Sequence, residues 1–451
     1  MSTVRELNRI EVKAAVRRVI EGSADEIIRL ARDIYEHPEP GFTEERTAKV
    51  VAKALTKAGV KPETGIAITG MKGIRTFDGE GPTVAVIGEL DAVKAPGHPG
   101  ADTTTGAAHA CGHHSQIGAL IGTAIGLGVP EVASTLTGRA AFMATPAEEF
   151  IDVEMRWGLR EAGRLGLLSG KQEMIRLGAF DDVDMAMMIH TSSSKVQRRF
   201  IVGGTSNAHV VHYVRFLGKA AHAGGAPHQG VNALQAAMLA LSAINTQRET
   251  FEDENQTRVH GIITRGGVAT NAVPAEVVYE GRVRGRTMAA VDKIAARIED
   301  CYRAGALAMG ASLEIVSIPG YLPLENNKDL ARVFTENVIT EFGEDALMTQ
   351  ADTVNAGGST DMGDLSQIMP ALHPYVAAAD GTGHGIDYII TDYRRAVVDS
   401  AISMALTVVD LLSDNAAEAR GIIDSHKPSL TRPEYVQSQA ARLRKIEYRG
   451  E

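Results

Sequence analysis

The stretches VAVIGELD (84–91), AAFMATPAEE (140–149) and VDMAMMIH (183–190) decide the fold. Each begins as a short apolar run, the pattern of a buried strand, and each ends on acidic or imidazole side chains. The apolar helix pattern GHHSQIGALIGTAIGL (112–127) separates the first two stretches. This alternation predicts an α/β domain with a central mixed sheet flanked by helices. Because open α/β sheets place their sites at the carboxyl ends of strands, we expect the functional residues where these stretches end.

The pattern changes after about residue 205. Strand and helix signals then follow in the order β-α-β-β-α-β, at 209–220, 231–244, 259–265, 277–286, 291–301 and 312–318. That order is the signature of a ferredoxin-like split unit. We therefore predict a catalytic domain in two parts, 1–205 and 319–451, with an inserted α+β satellite domain at 206–318. A long helix at about 392–413 should pack on the first part, and the tail beyond 415 is polar, with no role indicated by its sequence.

Length and composition restrict the class of protein. The chain has 451 residues, a formal net charge of -10 and 44% hydrophobic residues, which suits two domains with separate cores. An acidic balance argues against nucleic-acid partners and against anionic membranes, since both need basic patches. The N-terminus resembles an amphipathic helix without the apolar centre of a secretory signal, and no run approaches the ~20 apolar residues of a membrane span. Only Cys111 and Cys301 are available for disulfides, so we expect a reducing, cytoplasmic location.

The hexapeptide His109-Ala-Cys-Gly-His-His114 is the strongest local signal. Cys111 and His113 lie two apart around a glycine and can turn toward one point. Thiolate and imidazole are good ligands for zinc or a similar first-row ion, and a helix N-terminus favours the thiolate. At most two of the three histidines can be ligands, and a structural His-rich helix start is the alternative.

A second signal is the pair Glu148-Glu149, after a buried strand and Pro146. Adjacent carboxylates are costly to hold close together unless a cation lies between them or one is protonated. One can bind metal while the other faces the bound water as general base, because successive strand residues point in opposite directions. The alternatives are a solvated acidic loop for this pair and a core histidine for His190. His384 lies between glycines, which allow close approach of a ligand.

Together these motifs resemble the M20 family of metallopeptidases, in the branch with aminoacylase-like, p-aminobenzoyl-glutamate hydrolase-like and dipeptidase-like amidohydrolases. They run in family order over about residues 80–390: Glu89-Leu-Asp-Ala92, His109-Ala-Cys-Gly-His113, Thr145-Pro-Ala-Glu-Glu149, the strand ending at His190, Gly218-Lys-Ala-Ala-His-Ala223, Asn271-Ala-Val-Pro274, Gly358-Ser-Thr-Asp-Met-Gly363 and His384. The resemblance implies a metal-dependent exopeptidase-like catalytic domain with a satellite that closes over the substrate and forms a homodimer.

The resemblance also implies a role for each matched residue. Five positions match the ligands of two divalent cations, zinc or manganese: Cys111, His113, Glu149, His190 and His384. Glu148 matches the general base, and Asp91 matches the acidic residue that orients a metal ligand from beneath the site. His222 and Asn271, in the satellite domain, match residues that bind substrate and stabilise the tetrahedral oxyanion. His222 often comes from the partner subunit in this family.

The implied activity is hydrolysis of an amide bond in a small N-acyl amino acid, aminobenzoyl-glutamate-like or dipeptide-like substrate. The alternative is an aryl amide, aryl amine or carbamoyl compound at the same site. Two departures motivate it: His114 stands where relatives commonly have Asp or Asn, and the Thr-rich loop 94–108 borders the cluster. A non-catalytic homologue would need an empty ligand or base position, and none of the matched positions is empty. A nucleotide-binding protein lacks support, because no phosphate-loop motif is present.

Overall fold

The fold combines two sheets in a large α/β body with a third sheet in a smaller one. The computed structural model describes residues 8–193, 198–355 and 357–450. Its α-helices are α1 (Arg9–Gly22), α2 (Ala24–Tyr35), α3 (Glu45–Lys57), α4 (His113–Gly126), α5 (Pro130–Ala133), α6 (Val153–Glu161), α7 (Gly170–Arg176), α8 (Ala233–Gln247), α9 (Met288–Ala308), α10 (Lys328–Phe342), α11 (Met362–Ser366), α12 (Ser400–Leu412), α13 (Ala417–Ser425) and α14 (Arg432–Arg442). Its strands are β1 (Pro62–Ile66), β2 (Gly70–Thr76), β3 (Asp78–Glu89), β4 (Val93–Lys94), β5 (Ala107–Ala108), β6 (Thr137–Thr145), β7 (Met185–Met187), β8 (His190–Ser193), β9 (Phe200–Thr205), β10 (Ala208–Leu217), β11 (Arg258–Arg265), β12 (Glu276–Gly285), β13 (Ser312–Pro319), β14 (Leu347–Asn355), β15 (Ala371–Leu372), β16 (Tyr375–Asp380), β17 (Ile389–Ile390) and β18 (Arg444–Tyr448).

The first sheet has the order β1-β2-β6-β3-β7-β15. Strands β6, β3, β7 and β15 are parallel, while β1 and β2 run antiparallel, so the predicted central mixed sheet is confirmed. Helix α4 covers this sheet and is buried along almost its whole length. A Cβ added at Gly122 would lie 2.7 Å from the Cβ of Ala401 on α12, so glycine here lets the two core helices approach closely.

A second sheet joins β14, β9, β16 and β17, with β8 paired to β16. The prediction of one strand ending at His190 is therefore wrong in detail, because β7 ends at Met187 and His190 begins β8 in this other sheet. The chain crosses between sheets opposite Pro374, whose carbonyl accepts from the His190 N–H and which has no N–H to continue a ladder. Since both strands are buried, apolar periodicity could not reveal the crossing.

The third sheet has the order β11-β12-β10-β13-β18 and is antiparallel throughout. Helices α8 and α9 pack on one face and form a separate core, in which Cys301 is buried as predicted. The ferredoxin-like order is thus confirmed for β10 to β13. The fifth strand, β18, comes from the C-terminal tail and was not predicted.

The C-terminal region folds back on both bodies. The predicted long helix is confirmed as α12, preceded by a π-helical stretch at Arg394–Asp399. In the described ranges no single helix is long and apolar enough to cross a membrane. One bent pair, 394–412 with 414–425, meets the length and composition criteria together, and its first half is buried in the core.

Candidate metal centre

Three adjacent parallel strands deliver the acidic and imidazole groups to one edge of the first sheet. Asp91 follows β3, Glu148 and Glu149 follow β6, and His190 comes shortly after β7. Because these strands are neighbours in the order β6-β3-β7, their carboxyl ends lie side by side. All four residues have buried or largely buried side chains.

The turn before α4 aims Cys111 and His113 at the same point. Gly112, between them, has a φ of 92°, the left-handed region that favours glycine. A Cβ there would lie 2.2 Å from Thr191 Oγ1, so no other residue fits without movement. His113 is the first residue of α4, and this arrangement is why the two potential ligands lie on either side of a glycine.

Backbone carbonyls fix the orientation of two imidazole rings. His113 Nδ1 lies 2.9 Å from the carbonyl oxygen of Asp91, and His190 Nδ1 lies 2.7 Å from the carbonyl oxygen of Thr191. A carbonyl only accepts, so each Nδ1 carries the proton and each Nε2 presents a lone pair. The Nε2 of His190 lies 3.3 Å from Cys111 Sγ.

Three groups of side chains offer ligand atoms within 4.8 Å of one another: Cys111 with His113 and His190, Cys111 with Glu149 and His384, and Glu89 with His113 and Glu148. The first two groups contain all five predicted ligands and share Cys111. The Nε2 of His113 and the Oε1 of Glu149 are buried and make no hydrogen bond among the described residues. Each instead faces another candidate ligand, Glu89 Oε2 at 3.1 Å and His384 Nε2 at 2.9 Å. These donors fit divalent cations.

The neighbouring charges shift the ionisation of the cluster. Burial and Glu149 oppose ionisation of Cys111, but His113 and His190 outweigh them and lower its pKa to about 6. Glu149 chiefly raises the pKa of His384, to about 11. Despite its burial, Glu149 has a pKa well below its ordinary value because of His384. The cluster thus favours a thiolate and a carboxylate, the forms that bind metal.

Glu148 lies beside the cluster and lines a cavity of about 160 Å³ together with Cys111, Glu149, His190 and His384. Its side chain is buried, and the Tyr321 hydroxyl donates a hydrogen bond to its backbone carbonyl. Burial first, and then the charges of Glu89 and Glu149, raise the pKa of Glu148 well above its ordinary value. A carboxyl group whose pKa is shifted toward neutrality can both accept and return a proton.

A buried ion chain lies beneath the cluster and was not predicted from the sequence. The ammonium of Lys171, on α7, lies 2.5 Å from Glu89 Oε1 and 2.5 Å from Asp361 Oδ1. All three side chains are essentially inaccessible to solvent. Burial opposes the charge of Lys171, yet Asp361 and Glu89 outweigh it and raise its pKa. Asp361 belongs to a motif that the sequence did single out, but nothing in the sequence pointed to Lys171 as its partner.

Two arginines on β12 were also missed. Arg282 and Arg284 line both the 160 Å³ cavity and an adjoining cleft of about 910 Å³ between the satellite sheet and the 149–155 segment. Residues two apart on a strand share a face, so the alternation in Glu280-Gly-Arg-Val-Arg284 could have indicated a pair of guanidinium groups. Arg156, fully buried, donates to the backbone carbonyls of Ala147 and Glu149 and holds the turn after β6.

The remaining predicted residues lie elsewhere. His222 and Asn271 are exposed, near each other through a bridge between His222 and Ala272, and neither lines the site cavities found among the described residues. His114 is buried, lies 3.1 Å from the Tyr393 hydroxyl through Nε2, and belongs to none of the ligand groups found there. Loop 94–108 is closed by β4 and β5, and its His98 ring contacts the Tyr388 carbonyl at 2.9 Å.

Known proteins share this architecture. A family model described as "Peptidase dimerisation domain" matches residues 203–308. The Xaa-Arg dipeptidase of Homo sapiens is 30% identical over 328 residues, 69% of this chain and 68% of that protein. The chain belongs to the M20 family. Its homologue in Mus musculus, also named Xaa-Arg dipeptidase, is 29% identical over 91% of both chains. One of the polypeptides of the p-aminobenzoyl-glutamate hydrolase of Escherichia coli is 29% identical over 70% of this chain and 64% of its own length.

Solved structures of M20 proteins show the same fold. A putative aminohydrolase from methicillin-resistant Staphylococcus aureus superposes with a TM-score of 0.68 at 21% identity, covering 89% of this chain and all (100%) of that one. A dinuclear metal-binding M20 peptidase from Bacillus subtilis superposes with a TM-score of 0.62 at 19% identity, covering 87% and 99%. As an M20 protein, the chain is a metal-dependent hydrolase of amide or peptide bonds.

Proposed function

We propose that this M20 protein hydrolyses a small N-acyl amino acid, aminobenzoyl-glutamate-like or dipeptide-like amide with two divalent cations, zinc or manganese. The observation that carries the proposal is the pair of ligand groups sharing Cys111, which together contain Cys111, His113, Glu149, His190 and His384. The thiolate favours zinc, although ligand type alone does not decide which metal is bound in the cell. When bound, the cations would polarise the amide carbonyl and lower the pKa of the attacking water.

Glu148 is the general base and acid of the proposed reaction. It lines the same small cavity as the ligand groups, so an amide carbonyl placed there lies within its reach. Its carboxylate accepts the proton of the attacking water and then gives that proton to the leaving amine. Asp91 holds two ligands in place, because its backbone carbonyl contacts His113 Nδ1 and its Oδ2 accepts from the Glu149 N–H at 2.9 Å.

Arg284 is placed to bind the carboxylate that all three substrate types carry. Its Nη1 donates to Ser359 Oγ at 3.0 Å and its Nε to His260 Nε2 at 3.2 Å. These contacts hold the guanidinium at the mouth of the cavity. Guanidinium groups held by neutral partners in this way suit the planar geometry of a carboxylate.

We further propose a homodimer formed through the satellite domain, in a reducing, cytoplasmic setting, without nucleic-acid or membrane partners. The matched dimerisation domain, residues 203–308, supports the dimer. Among the described residues β11 pairs only with β12, which leaves its other edge open, and its Ile262 is 63% exposed. An open apolar edge strand is suited to pairing with a second copy. Both cysteines are free, as expected in a reducing compartment.

The test combines metal analysis with a substrate panel. We expect close to two metal ions per chain and chelator-sensitive release of one amine from a panel of N-acyl amino acids, p-aminobenzoyl-glutamate, β-alanyl dipeptides, aryl amides and carbamoyl compounds. Glu148→Gln should retain its metal and lose turnover by about 100- to 10,000-fold or more, because the general base is gone. Glu161→Gln, a solvent-exposed change on α6, serves as the control. Retained activity in Glu148→Gln, or no metal after reconstitution, would contradict the proposal.

A further inference from the structure

The charges of the large cleft are almost all neutralised by neighbours within the protein. On its walls Lys94 pairs with Asp152, and Glu154 lies 2.9 Å from Arg265. The carboxylate of Glu280 faces the backbone N–H groups of Val153 and Glu154 at the start of α6, and burial raises its pKa. These acidic groups are therefore already engaged and offer little to a cationic substrate.

Arg282 and Arg284 are the exception among the described residues of the cleft. Neither guanidinium has a carboxylate within ion-pair distance, although both are partly buried. Arg282 donates to the Phe150 carbonyl, and Arg284 bonds only neutral partners. Burial and the neighbouring Arg282 lower the pKa of Arg284 to about 10. Two like charges held side by side without counter-ions are costly, and an anionic ligand would relieve that cost.

Their spacing suits two anionic groups of one molecule. Arg282 and Arg284 lie on the same face of β12, roughly 6.8 Å apart along the strand. Both line the cleft and the smaller cavity that contains Glu148 and the ligand groups. A small amide bound with its carbonyl in that cavity can therefore reach both guanidinium groups. Arg284 is assigned above to the substrate's first carboxylate, which leaves Arg282 without a role.

We infer that Arg282 binds a second carboxylate, so that the substrate of this protein is a dianionic amide such as an N-acyl or N-aroyl acidic amino acid. The inference rests on the proposed amide hydrolysis and narrows it to the aminobenzoyl-glutamate-like type. It disfavours substrates with a cationic side chain, because Asp152, Glu154 and Glu280 are already engaged.

The test uses matched compounds that differ only in one charge. Binding of N-benzoyl-glutamate, N-benzoyl-glutamine and N-benzoyl-arginine to metal-loaded Glu148→Gln protein is measured by calorimetry, and hydrolysis by the unchanged protein is measured in parallel. We expect the glutamate compound to bind about 10- to 100-fold more tightly than the glutamine compound, as for one added charge-assisted hydrogen bond. We expect the same order in kcat/KM.

Variants assign this preference to Arg282. Adding Arg282→Met should bring the glutamate-to-glutamine ratio close to one, whereas Arg282→Lys should keep most of it because the charge remains. Arg265→Met is the matched control, since Arg265 is a basic residue of the same domain that already pairs with Glu154, and its ratio should not change. A merely structural role of Arg282 would make the Met and Lys variants behave alike.

The outcomes separate the two proposals. Equal binding of the three compounds, or tighter binding of the arginine compound, overturns the dianionic assignment. A preference that survives in Arg282→Met overturns the role of Arg282. Preferential binding of the dianion without hydrolysis by the unchanged protein upholds the inference and contradicts the proposed function instead.

Discussion

Lys171 lies fully buried between the carboxylates of Glu89 and Asp361, at 2.5 Å from each. Removing one partner of a buried ion pair leaves an uncompensated charge and typically costs about 3–5 kcal/mol. We therefore expect Lys171→Met to lower the free energy of unfolding by about that amount. The measurement is urea unfolding followed by circular dichroism, with a chelator present so that metal affinity does not enter.

Lys445 provides the matched control for this prediction. Its ion pair with Glu161 is exposed on both sides, with 59% and 54% of the side chains accessible. Lys445→Met should change the free energy of unfolding by less than about 1 kcal/mol, as exposed pairs usually do. A Lys171→Met variant as stable as Lys445→Met would show that Glu89 and Asp361 do not depend on the ammonium.

These residues mark the limit of what the sequence could predict about the site. Cys111, His113 and Glu149 were recognisable because their neighbours in the chain restrict them: a glycine between the first two, and a buried strand before the third. The structure brings them together with His190 and His384, while their role as ligands stays a prediction. Lys171 finds its partners 82 and 190 positions away. No local pattern carries that information, so the ion chain needed the fold.

At the level of elements, α14 is fixed to the large body through one carboxyl group. Asp364, on α11, is buried and accepts hydrogen bonds from the Tyr435 hydroxyl at 2.8 Å and from Gln439 Nε2 at 3.1 Å. Burial is the main reason that its pKa rises from 3.8 to about 8. The folded protein thus favours the protonated form.

This shift gives stability a defined pH dependence. A carboxyl group whose pKa is raised by folding stabilises the protein fully below its unfolded pKa, and that contribution is lost as the pH rises toward its folded pKa. Asp364→Asn, neutral at every pH, should therefore gain stability relative to the unchanged protein between about pH 4 and pH 8, by roughly 1.4 kcal/mol per pH unit at most. Thermal unfolding at about pH 5 and about pH 9 measures the difference.

Asp300→Asn is the control, because that aspartate is 71% exposed on α9. If the two asparagine variants show the same change between the two pH values, the prediction for Asp364 is wrong. The test is independent of metal binding, since Asp364 belongs to none of the ligand groups found among the described residues.

The elements that sequence periodicity predicted well are those with one buried face. The satellite strands and helices were found in the right order because α8, α9 and β10 to β13 alternate between polar and apolar faces. The exchange from β7 to β8 was missed, since both strands are buried and their residues look alike. Strand β18 was missed for the opposite reason, because Arg444–Tyr448 is an edge strand with mostly exposed side chains. Its pairing with β13 comes from register and not from apolar content.

At the scale of the whole molecule, the tail connects the two bodies. Helix α14 is bound to the large body through Asp364, and β18 then extends the satellite sheet as its edge strand. Along this strand Arg444 reaches Glu299 on α9 at 2.7 Å, and Lys445 reaches Glu161 on α6 at 2.9 Å. The segment that the sequence left without a role therefore helps to fix the satellite domain beside the cleft.

The position of His222 raises a question that only the assembly can answer. In one chain it is exposed and lines neither site cavity found among the described residues. Its Nδ1 accepts from the backbone N–H groups of Gly224 and Gly225, at 3.2 and 3.0 Å. The proton of a neutral ring is then on Nε2, which is free to donate to an oxyanion outside its own chain. We therefore place His222 at the site of the partner protomer.

Mixing two inactive variants tests this placement. In a two-fold dimer with shared sites, a protomer with Glu148→Gln and a protomer with His222→Ala form one site with both defects and one intact site. An equal mixture, after the protomers exchange, should regain about a quarter of full activity, because half of the dimers are mixed and each has one working site. If His222 acts within its own chain, every site keeps one defect and mixing restores nothing. Each variant incubated alone, with its metal content measured, provides the baseline for the activity that mixing restores.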